Sequence, residues 1–169
     1  GDVFFTPAGR IHAIGAGNML VEIQQTSDIT YRIFDWNRKG ADGKPRELHT
    51  DLAVDAIDFK AAGSNKTSII PISNKTENLV KCGFFITNII RFDKFIRKDY
   101  NLIDSFVIYI CTDGEFLIRW DGNSEPVTKG ETVLLPAMIK EVFLEPSPKA
   151  TLLEIFIPEI HDQHNTNLT

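Results

Sequence analysis

Three side chains that could take part in chemistry lie within the first 32 residues of this 169-residue chain. They are His12, Glu22 and Arg32. The imidazole can bind a metal, the carboxylate can contact a polar substrate, and the guanidinium can stabilise a developing negative charge. A lone histidine in a strand is more often structural than a metal ligand, so these residue types alone do not establish a site.

The segment that carries these side chains, residues 1–32, has the pattern of strand, turn, strand, turn, strand. Side chains alternate between the two faces of a strand, so Glu22 shares a face with Leu20 and Gln24. Polar groups on a common side of curved strands favour a lined cavity. A half-buried sheet with its polar face in water fits the same pattern equally well.

The composition is that of an ordinary soluble globular protein, with 43% hydrophobic and 24% charged residues. A formal net charge of -5 argues against a nucleic-acid partner, which requires a basic face. No apolar run approaches the roughly 20 residues that span a bilayer, so no membrane partner is expected. Cys82 and Cys111 follow no metal-site spacing and are expected to be reduced core residues. The chain starts directly in a strand-like segment with no signal peptide, which predicts a cytoplasmic location.

Turn signals and composition divide the chain into four parts. The first part contains the segments of His12 and Arg32, an exposed cationic loop and a short helix from Thr50 to about Asp58. A polar linker, a strand-rich part and a polar tail follow. The four parts are residues 1–59, 60–78, 79–158 and 159–169.

Strand-like runs recur at short intervals beyond the linker. They are residues 79–92, 93–97, 105–112, 115–120, 132–135, 140–144 and 151–157. The connectors Thr112-Asp113-Gly114 and Asp121-Gly122-Asn123 have the composition of hairpin turns. Seven short strands at this spacing predict an all-β sandwich or barrel.

The segment 130–137 repeats the pattern of residues 1–8, with glycine, acid, proline and alanine in the same register. Such a repeat indicates that one barrel element occurs twice. The two copies differ five residues after the proline, where the first has His12 and the second has Glu141. The first copy is therefore the candidate for a functional site, and the second is interpreted as structural.

The motif Gly-Asp-x4-Pro-x-Gly-x2-His at residues 1–12 resembles the second signature of cupin barrels, in which the final histidine ligates a metal inside a jelly roll. The sequence from His12 to Arg32, with Asp35-Trp36 and Arg46-Glu47-Leu48-His49, resembles type I mannose-6-phosphate isomerases. The similarity is dense over residues 1–58. The resemblance implies an all-β cupin or jelly-roll barrel with one short helix.

The more distant part of the chain is less similar to that family. Segment 130–137 resembles the family's carboxy-terminal, metal-free cupin. Residues 1–59 would then close the catalytic cupin, and residues 79–158 would form the metal-free half.

The family interconverts mannose 6-phosphate and fructose 6-phosphate with one zinc ion. By resemblance, His12 would be a zinc ligand, Arg32 the catalytic arginine at the sugar's reacting end, and Glu22 an acid lining the substrate pocket. Moving a carbonyl between C1 and C2 passes through an enediolate, so a Lewis acid must hold the developing oxyanion while a base moves a proton.

The substrate of such an enzyme is a small sugar phosphate, and its phosphate requires cations. Arg38, Lys44 and Arg46 lie on the loop after Arg32 and are candidates for this role. Each of them could equally be part of a solvated loop face.

Three hypotheses for the function follow. The chain is the carboxy-terminal portion of a mannose-6-phosphate isomerase, a metal-free sugar-binding or regulatory cupin module, or another metal-dependent cupin enzyme such as an epimerase or dioxygenase. The family's other ligands, from a Gln-x-His-Pro motif and a glutamate, precede the barrel segment and are absent here. The similarity around Arg32 disfavours the third hypothesis, and an initial glycine inside the motif indicates a fragment, which favours the first.

A truncated barrel would expose unpaired strand edges and apolar interior. Self-association or strand exchange between copies is therefore expected. A clean monomer by light scattering at high concentration would contradict this expectation.

Overall fold

The computed structural model describes residues 1–27, 29–60, 66–67 and 69–158. The chain forms two compact units. The amino-terminal unit is Asp2–Lys66, and the carboxy-terminal unit is Thr67–Thr169 together with Gly1. The division into a catalytic part, a linker and a metal-free half stays a prediction, and the predicted tail of residues 159–169 lies outside the described residues.

Strands dominate the described part of the chain. The elements are β1 (Val3–Phe4), α1 (Thr50–Ala56), β2 (Lys66–Thr67), β3 (Lys75–Lys81), β4 (Ile86–Phe92), β5 (Ile96–Asp99), β6 (Val107–Trp120), β7 (Asn123–Thr128), β8 (Thr132–Leu135) and β9 (Glu141–Phe156). The prediction of a mainly β fold with one short helix is confirmed. Within the described residues, no helix is long and apolar enough to cross a membrane.

The helix lies close to its predicted position. It begins at Thr50, as predicted, and His49 is the N-cap residue. It ends at Ala56, two residues before the predicted end, because Ile57 takes an extended conformation. Asp51 lies in its first turn, where a carboxylate complements the helix dipole.

The prediction of three strands within residues 1–32 is wrong. Among the described residues of that segment only β1 is a strand, and it pairs with β2. A strand requires a hydrogen-bonding partner as well as an alternating sequence. Met19 is 98% exposed and Ile29 is 70% exposed, so their side chains lie on no packed surface.

Of the described residues in the amino-terminal unit, Ala53 and Asp35 alone are buried. Its large apolar side chains are exposed at positions such as Phe34, Trp36 and Leu52. The described part of this unit therefore has no hydrophobic core of its own.

The carboxy-terminal unit is built on a seven-stranded antiparallel sheet. Its strand order is β3-β4-β9-β6-β7, with β5 paired to β9 and β8 paired to β6. The first half of β6 lies between β8 and the second half of β9, and the second half of β6 lies between β7 and the first half of β9. The two long central strands thus join two portions of the sheet. The described strand pairs do not close into a ring.

One predicted turn is correct and one is wrong. Asp121 and Gly122 have positive φ and connect β6 to β7 as a tight hairpin. Residues 112–114 instead lie inside β6, where the register with β9 shifts. Asp113 and Gly114 pair with Thr151 and Ala150, and the register shifts on either side of them, so the strand is irregular here without reversing. Its glycine, Gly114, has a φ of +73°, and an added Cβ would lie 2.1 Å from the Lys149 carbonyl oxygen.

The other strands differ from prediction in their extents. Run 79–92 is a hairpin of the end of β3 with β4, and runs 140–144 and 151–157 are parts of the single strand β9. Strand β7 was not predicted. Strand β3 begins at Lys75, inside the stretch predicted as a linker.

The core of this unit lies between the two portions of the sheet. Phe92 on β4 contacts Phe116 on β6 edge-on at a ring-centroid distance of 5.6 Å, and Tyr109 meets the same ring at 6.5 Å. Cys111 is buried in this core, while Cys82 is half-buried outside it, and both are free thiols.

A buried polar cluster lies beside that core, and we name it the Glu154 cluster. Glu154 on β9 is 1% exposed and accepts hydrogen bonds from Asn88 Nδ2 at 2.9 Å and Tyr100 Oη at 2.6 Å. Lys98 Nζ lies 2.8 Å from the same carboxylate. Tyr109 Oη shares a short hydrogen bond with Tyr100 Oη. Burial raises the pKa of both phenols, so they remain protonated donors.

Candidate functional site

Arg32 is held at three points by one short segment of the amino-terminal unit. Its backbone N–H donates to His49 Nδ1 at 3.1 Å, and its carbonyl oxygen accepts from the His49 backbone N–H at 2.7 Å. Its guanidinium Nη1 donates to the Glu47 carbonyl oxygen at 3.1 Å. Arg32 is half-buried as a result, although no regular strand contains it.

The segment that holds Arg32 also lines a concave surface. An open depression of about 370 Å³ is lined by Glu47, Leu48, His49, Thr50, Asp51 and Leu52. The start of α1 forms its wall. Sequence patterns gave no sign that His49 contacts Arg32, because a contact to a residue 17 positions earlier leaves no local signal.

His12 follows a turn that packs against the end of α1. Gly9 has a φ of +81°, and an added Cβ would lie 2.7 Å from the Ala56 carbonyl oxygen. Asp58 N–H donates to the Gly9 carbonyl oxygen at 3.0 Å. The glycine of the motif is thus required by a close approach of two backbones. His12 itself is exposed.

The His12 ring has one nitrogen engaged with the backbone. Its Nδ1 lies 3.0 Å from the Arg10 carbonyl oxygen. A metal-binding histidine commonly donates one ring N–H to a carbonyl and presents the other nitrogen to the metal, so His12 fits the role of one zinc ligand. The described residues contain no group of three or more His, Cys, Asp or Glu side chains that could hold a metal ion. They therefore do not by themselves make up a zinc site.

The loop after Arg32 has a defined conformation. Trp36 and Asn37 both have positive φ, and Arg38 N–H donates to the Asp35 carbonyl oxygen at 2.9 Å, which closes a tight turn. Farther along the loop, Lys39 and Pro45 form an isolated antiparallel β-bridge. The sequence predicted an exposed loop here, and the structure adds that its backbone is hydrogen-bonded across its width.

Two of the predicted phosphate-binding cations meet on one carboxylate in this loop. Asp35 is 5% exposed; its Oδ1 accepts from Arg38 Nε at 2.9 Å and its Oδ2 from Arg46 Nε at 2.6 Å. Nη2 of each arginine also contacts Oδ1. The Nη1 groups take no part in these bonds. The three charges sum to one net positive charge, and Asp35 fixes the position of both guanidinium groups.

The remaining predicted site residues are not drawn together in the described contacts. Lys44 donates its backbone N–H to Asp42 Oδ1 at 3.1 Å, and its side chain is exposed. Glu22 is exposed. No described hydrogen bond or ion pair joins Glu22 to His12 or to Arg32. Their roles stay predictions.

The Arg46 guanidinium, with Arg38 as a second donor, lowers the pKa of Asp35 from 3.8 to about 2. Because the pKa is lower in the folded chain, these bonds contribute fully to stability above pH 3.8 and are lost as the pH falls through about 2.

In a carboxyl NMR titration we expect Arg46→Met to raise the pKa of Asp35 more than Arg38→Met does. Arg119→Met, which removes a guanidinium paired with Glu145, is the control and should leave it unchanged. Equal titration of Asp35 in all variants would contradict the geometry.

Comparison with curated proteins gives relatives that are named mannose-6-phosphate isomerases. No protein-family model matches the chain. A mannose-6-phosphate isomerase of Bacillus subtilis is 32% identical over 149 residues, which cover 86% of this chain and 46% of the relative. A mannose-6-phosphate isomerase of Streptococcus mutans is 30% identical over 141 residues, which cover 83% of this chain and 44% of the relative. The chain thus spans about half the length of the curated relatives it matches.

Solved structures establish the fold. The crystal structure of the mannose 6-phosphate isomerase from Bacillus subtilis aligns with a TM-score of 0.58 at 23% identity, over 78% of this chain and 41% of that chain. A putative mannosephosphate isomerase from Archaeoglobus fulgidus aligns with a TM-score of 0.53 at 12% identity, over 66% of this chain and 34% of that chain. The predicted cupin-type fold is confirmed.

Proposed function

We propose that this chain, which is homologous to about half the length of mannose-6-phosphate isomerases, supplies part of the site of such an aldose–ketose isomerase. The observation that carries the proposal is the 32% identity over 149 residues to a named isomerase. The reaction would interconvert mannose 6-phosphate and fructose 6-phosphate through an enediolate. The chain would correspond to the carboxy-terminal portion of the enzyme.

His12 would be one ligand of a zinc ion. The Arg10 carbonyl holds its Nδ1, so Nε2 would face the metal. A bound zinc ion would supply Lewis-acid stabilisation of the negative charge that develops on the sugar oxygen.

Arg32 would stabilise the same charge from the protein side. A guanidinium that is already oriented gains interaction energy as the enediolate forms, without reorganising at that moment. Its bond to the Glu47 carbonyl supplies this orientation. Glu22 would line the pocket and accept a hydrogen bond from a sugar hydroxyl.

The substrate's phosphate would bind the cationic loop. Arg38 and Arg46 keep their Nη1 groups outside the bonds to Asp35, so each can donate to a phosphate oxygen. Lys44 would add an exposed positive charge from the same loop. A carboxylate shared by two arginines fixes their spacing before the substrate arrives.

The exposed apolar surface of the amino-terminal unit supports the proposal that it is one part of a larger site. Side chains such as Ile11, Ile14 and Val21 are about half exposed. In an intact enzyme the rest of the catalytic cupin would cover them. Self-association through exposed strand edges and a cytoplasmic location both stay proposals.

The test replaces the homologous segment of the Bacillus subtilis enzyme with this chain and measures mannose 6-phosphate turnover and zinc content after dialysis. We expect turnover and stoichiometric zinc in the chimera. Arg32→Ala should lower kcat by about 100-fold or more, because it removes a donor to the developing charge. His12→Ala should abolish zinc binding, and Arg119→Ala, which changes an exposed ion pair of β6, is the control.

The outcomes separate the hypotheses. A folded chimera with no turnover and no zinc would contradict the proposal. Binding of mannose 6-phosphate without turnover, and without any effect of Arg32→Ala, would favour the alternative of a sugar-binding or regulatory cupin module.

A further inference from the structure

His49 is the N-cap residue of α1, but its side chain does not cap the helix. N-cap side chains usually accept a hydrogen bond from a backbone N–H in the first helical turn. The His49 side chain makes no such bond. Its Nδ1 instead accepts the backbone N–H of Arg32 at 3.1 Å.

The contact between the two residues is reciprocal. The His49 backbone N–H donates to the Arg32 carbonyl oxygen at 2.7 Å, while the His49 ring accepts from the Arg32 backbone N–H. In a regular sheet a second backbone carbonyl would accept that N–H. Here the ring nitrogen takes its place, because α1 begins at the next residue and turns the chain away.

The bond sets the tautomer of the ring. An accepting Nδ1 carries no proton, so Nε2 carries it in the neutral ring. Nε2 lies 3.9 Å from Glu47 Oε2, and the ring lies 6.3 Å from the Tyr31 ring between centroids. The imidazole side chain is 23% exposed, so it is largely enclosed by the segment that it connects.

From these contacts we propose that His49 is a positioning residue for Arg32. The inference rests on the proposed function, in which the Arg32 guanidinium stabilises the developing negative charge. The ring and backbone of His49 fix both polar backbone groups of Arg32, and the neighbouring Glu47 carbonyl fixes its guanidinium. One segment, Glu47–His49, thereby sets the position of the Arg32 guanidinium. This position matters for the rate, because a displacement of about 1 Å at a reacting group lowers rates about 100-fold.

The first test needs no catalysis. In this chain, amide hydrogen exchange at Arg32 reports directly on the bond to the ring. His49→Leu removes the acceptor and should accelerate exchange at Arg32 about tenfold or more. His49→Asn retains an acceptor at a similar distance from the backbone and should keep most of the protection. Thr50→Ala, at the next residue, is the matched control and should leave the exchange rate unchanged.

A spectroscopic signature accompanies this test. The ¹⁵N shifts of the His49 ring should show an unprotonated Nδ1 and a protonated Nε2 at neutral pH. Unchanged protection of Arg32 in His49→Leu, or the opposite tautomer, would overturn the proposal. If His49→Leu fails to fold by circular dichroism, the tautomer and the His49→Asn exchange rate still decide the question.

The second test uses the chimera with the Bacillus subtilis enzyme. His49→Leu should lower kcat about 100-fold with little change in KM, and His49→Asn should restore most of it. In an Arg32→Ala background, His49→Leu should cause no further loss. A full second loss there would overturn the positioning role. If Arg32→Ala itself leaves turnover unchanged, the proposed function fails, while the exchange result at Arg32 decides the contact with His49 separately.

Discussion

Replacing Glu154 with alanine is expected to lower the free energy of unfolding of the carboxy-terminal unit by about 3–5 kcal/mol. The carboxylate is 1% exposed and serves three partners, Asn88, Tyr100 and Lys98. Its removal leaves a largely buried ammonium without its counter-charge and two buried donors without acceptors. Each of these losses costs more than the original bond contributed, because the orphaned group has already given up its contacts with water.

The control for this variant lies on the same strand. Glu145→Ala removes a carboxylate of β9 that pairs with Arg119 at 2.9 Å, and both side chains are about half exposed, at 49% and 50%. Exposed pairs contribute about 0–1 kcal/mol, so the control should change stability little. Urea unfolding followed by circular dichroism measures both variants. Equal effects of the two substitutions would show that the Glu154 cluster does not stabilise the unit.

Glu154→Gln separates charge from hydrogen bonding. The amide keeps an acceptor for Tyr100 or Asn88 but removes the counter-charge of Lys98. Its loss of stability should fall between those of Glu154→Ala and Glu145→Ala. A glutamine variant as unstable as the alanine variant would assign the whole effect to the ion pair.

Local patterns predicted the elements whose signals are local. Short strand-like runs predicted most strands of the carboxy-terminal unit, though not β7, and the spacing that follows Thr50 predicted the helix. The Asp-Gly pair at residues 121–122 predicted its hairpin correctly. In each case a few neighbouring residues determine the backbone conformation.

Long-range pairing decided where the predictions were wrong. The Asp-Gly pair at residues 113–114 resembles the hairpin signal, but β9 runs alongside both halves of β6, and the pair lies inside the strand between two register shifts. Met19–Gln25 alternates like a strand, yet no described strand pairs with it. The same turn signal or alternation therefore gives different structures, depending on a partner that is distant in sequence.

The candidate site shows the same division between local and long-range information. Motif similarity suggested roles for Arg32 and His12, but it gave no information on what holds them in place. His49 holds Arg32 from 17 residues away, and Asp35 accepts from Arg46, 11 residues later in the chain. Contacts between distant residues leave no periodic signal in one sequence. The sequence does show that Asp35 lies close to several cationic residues, and this proximity could have indicated an ion pair there.

Gly114→Ala is expected to destabilise the carboxy-terminal unit by roughly 3–5 kcal/mol, since it combines two separate costs. A φ of +73° is unfavourable for any residue with a Cβ, and this Cβ would lie 2.1 Å from the Lys149 carbonyl oxygen. That oxygen belongs to the backbone of β9, which pairs with β6 on both sides of Gly114. Relief of the clash therefore requires the two central strands to separate locally.

Gly122→Ala isolates the first of these costs. Gly122 has a φ of +79°, close to that of Gly114, but its added Cβ meets no atom within 4 Å. Its substitution should cost only about 1–2 kcal/mol, the penalty of the backbone conformation alone. Urea unfolding measures the loss in the free energy of unfolding for each variant, and the difference between the two losses is the cost of the close approach. Equal losses would show that β6 and β9 adjust freely at Gly114. A much larger loss for Gly114→Ala would show that the close approach of β6 and β9 at this residue fixes the arrangement of the two portions of the sheet.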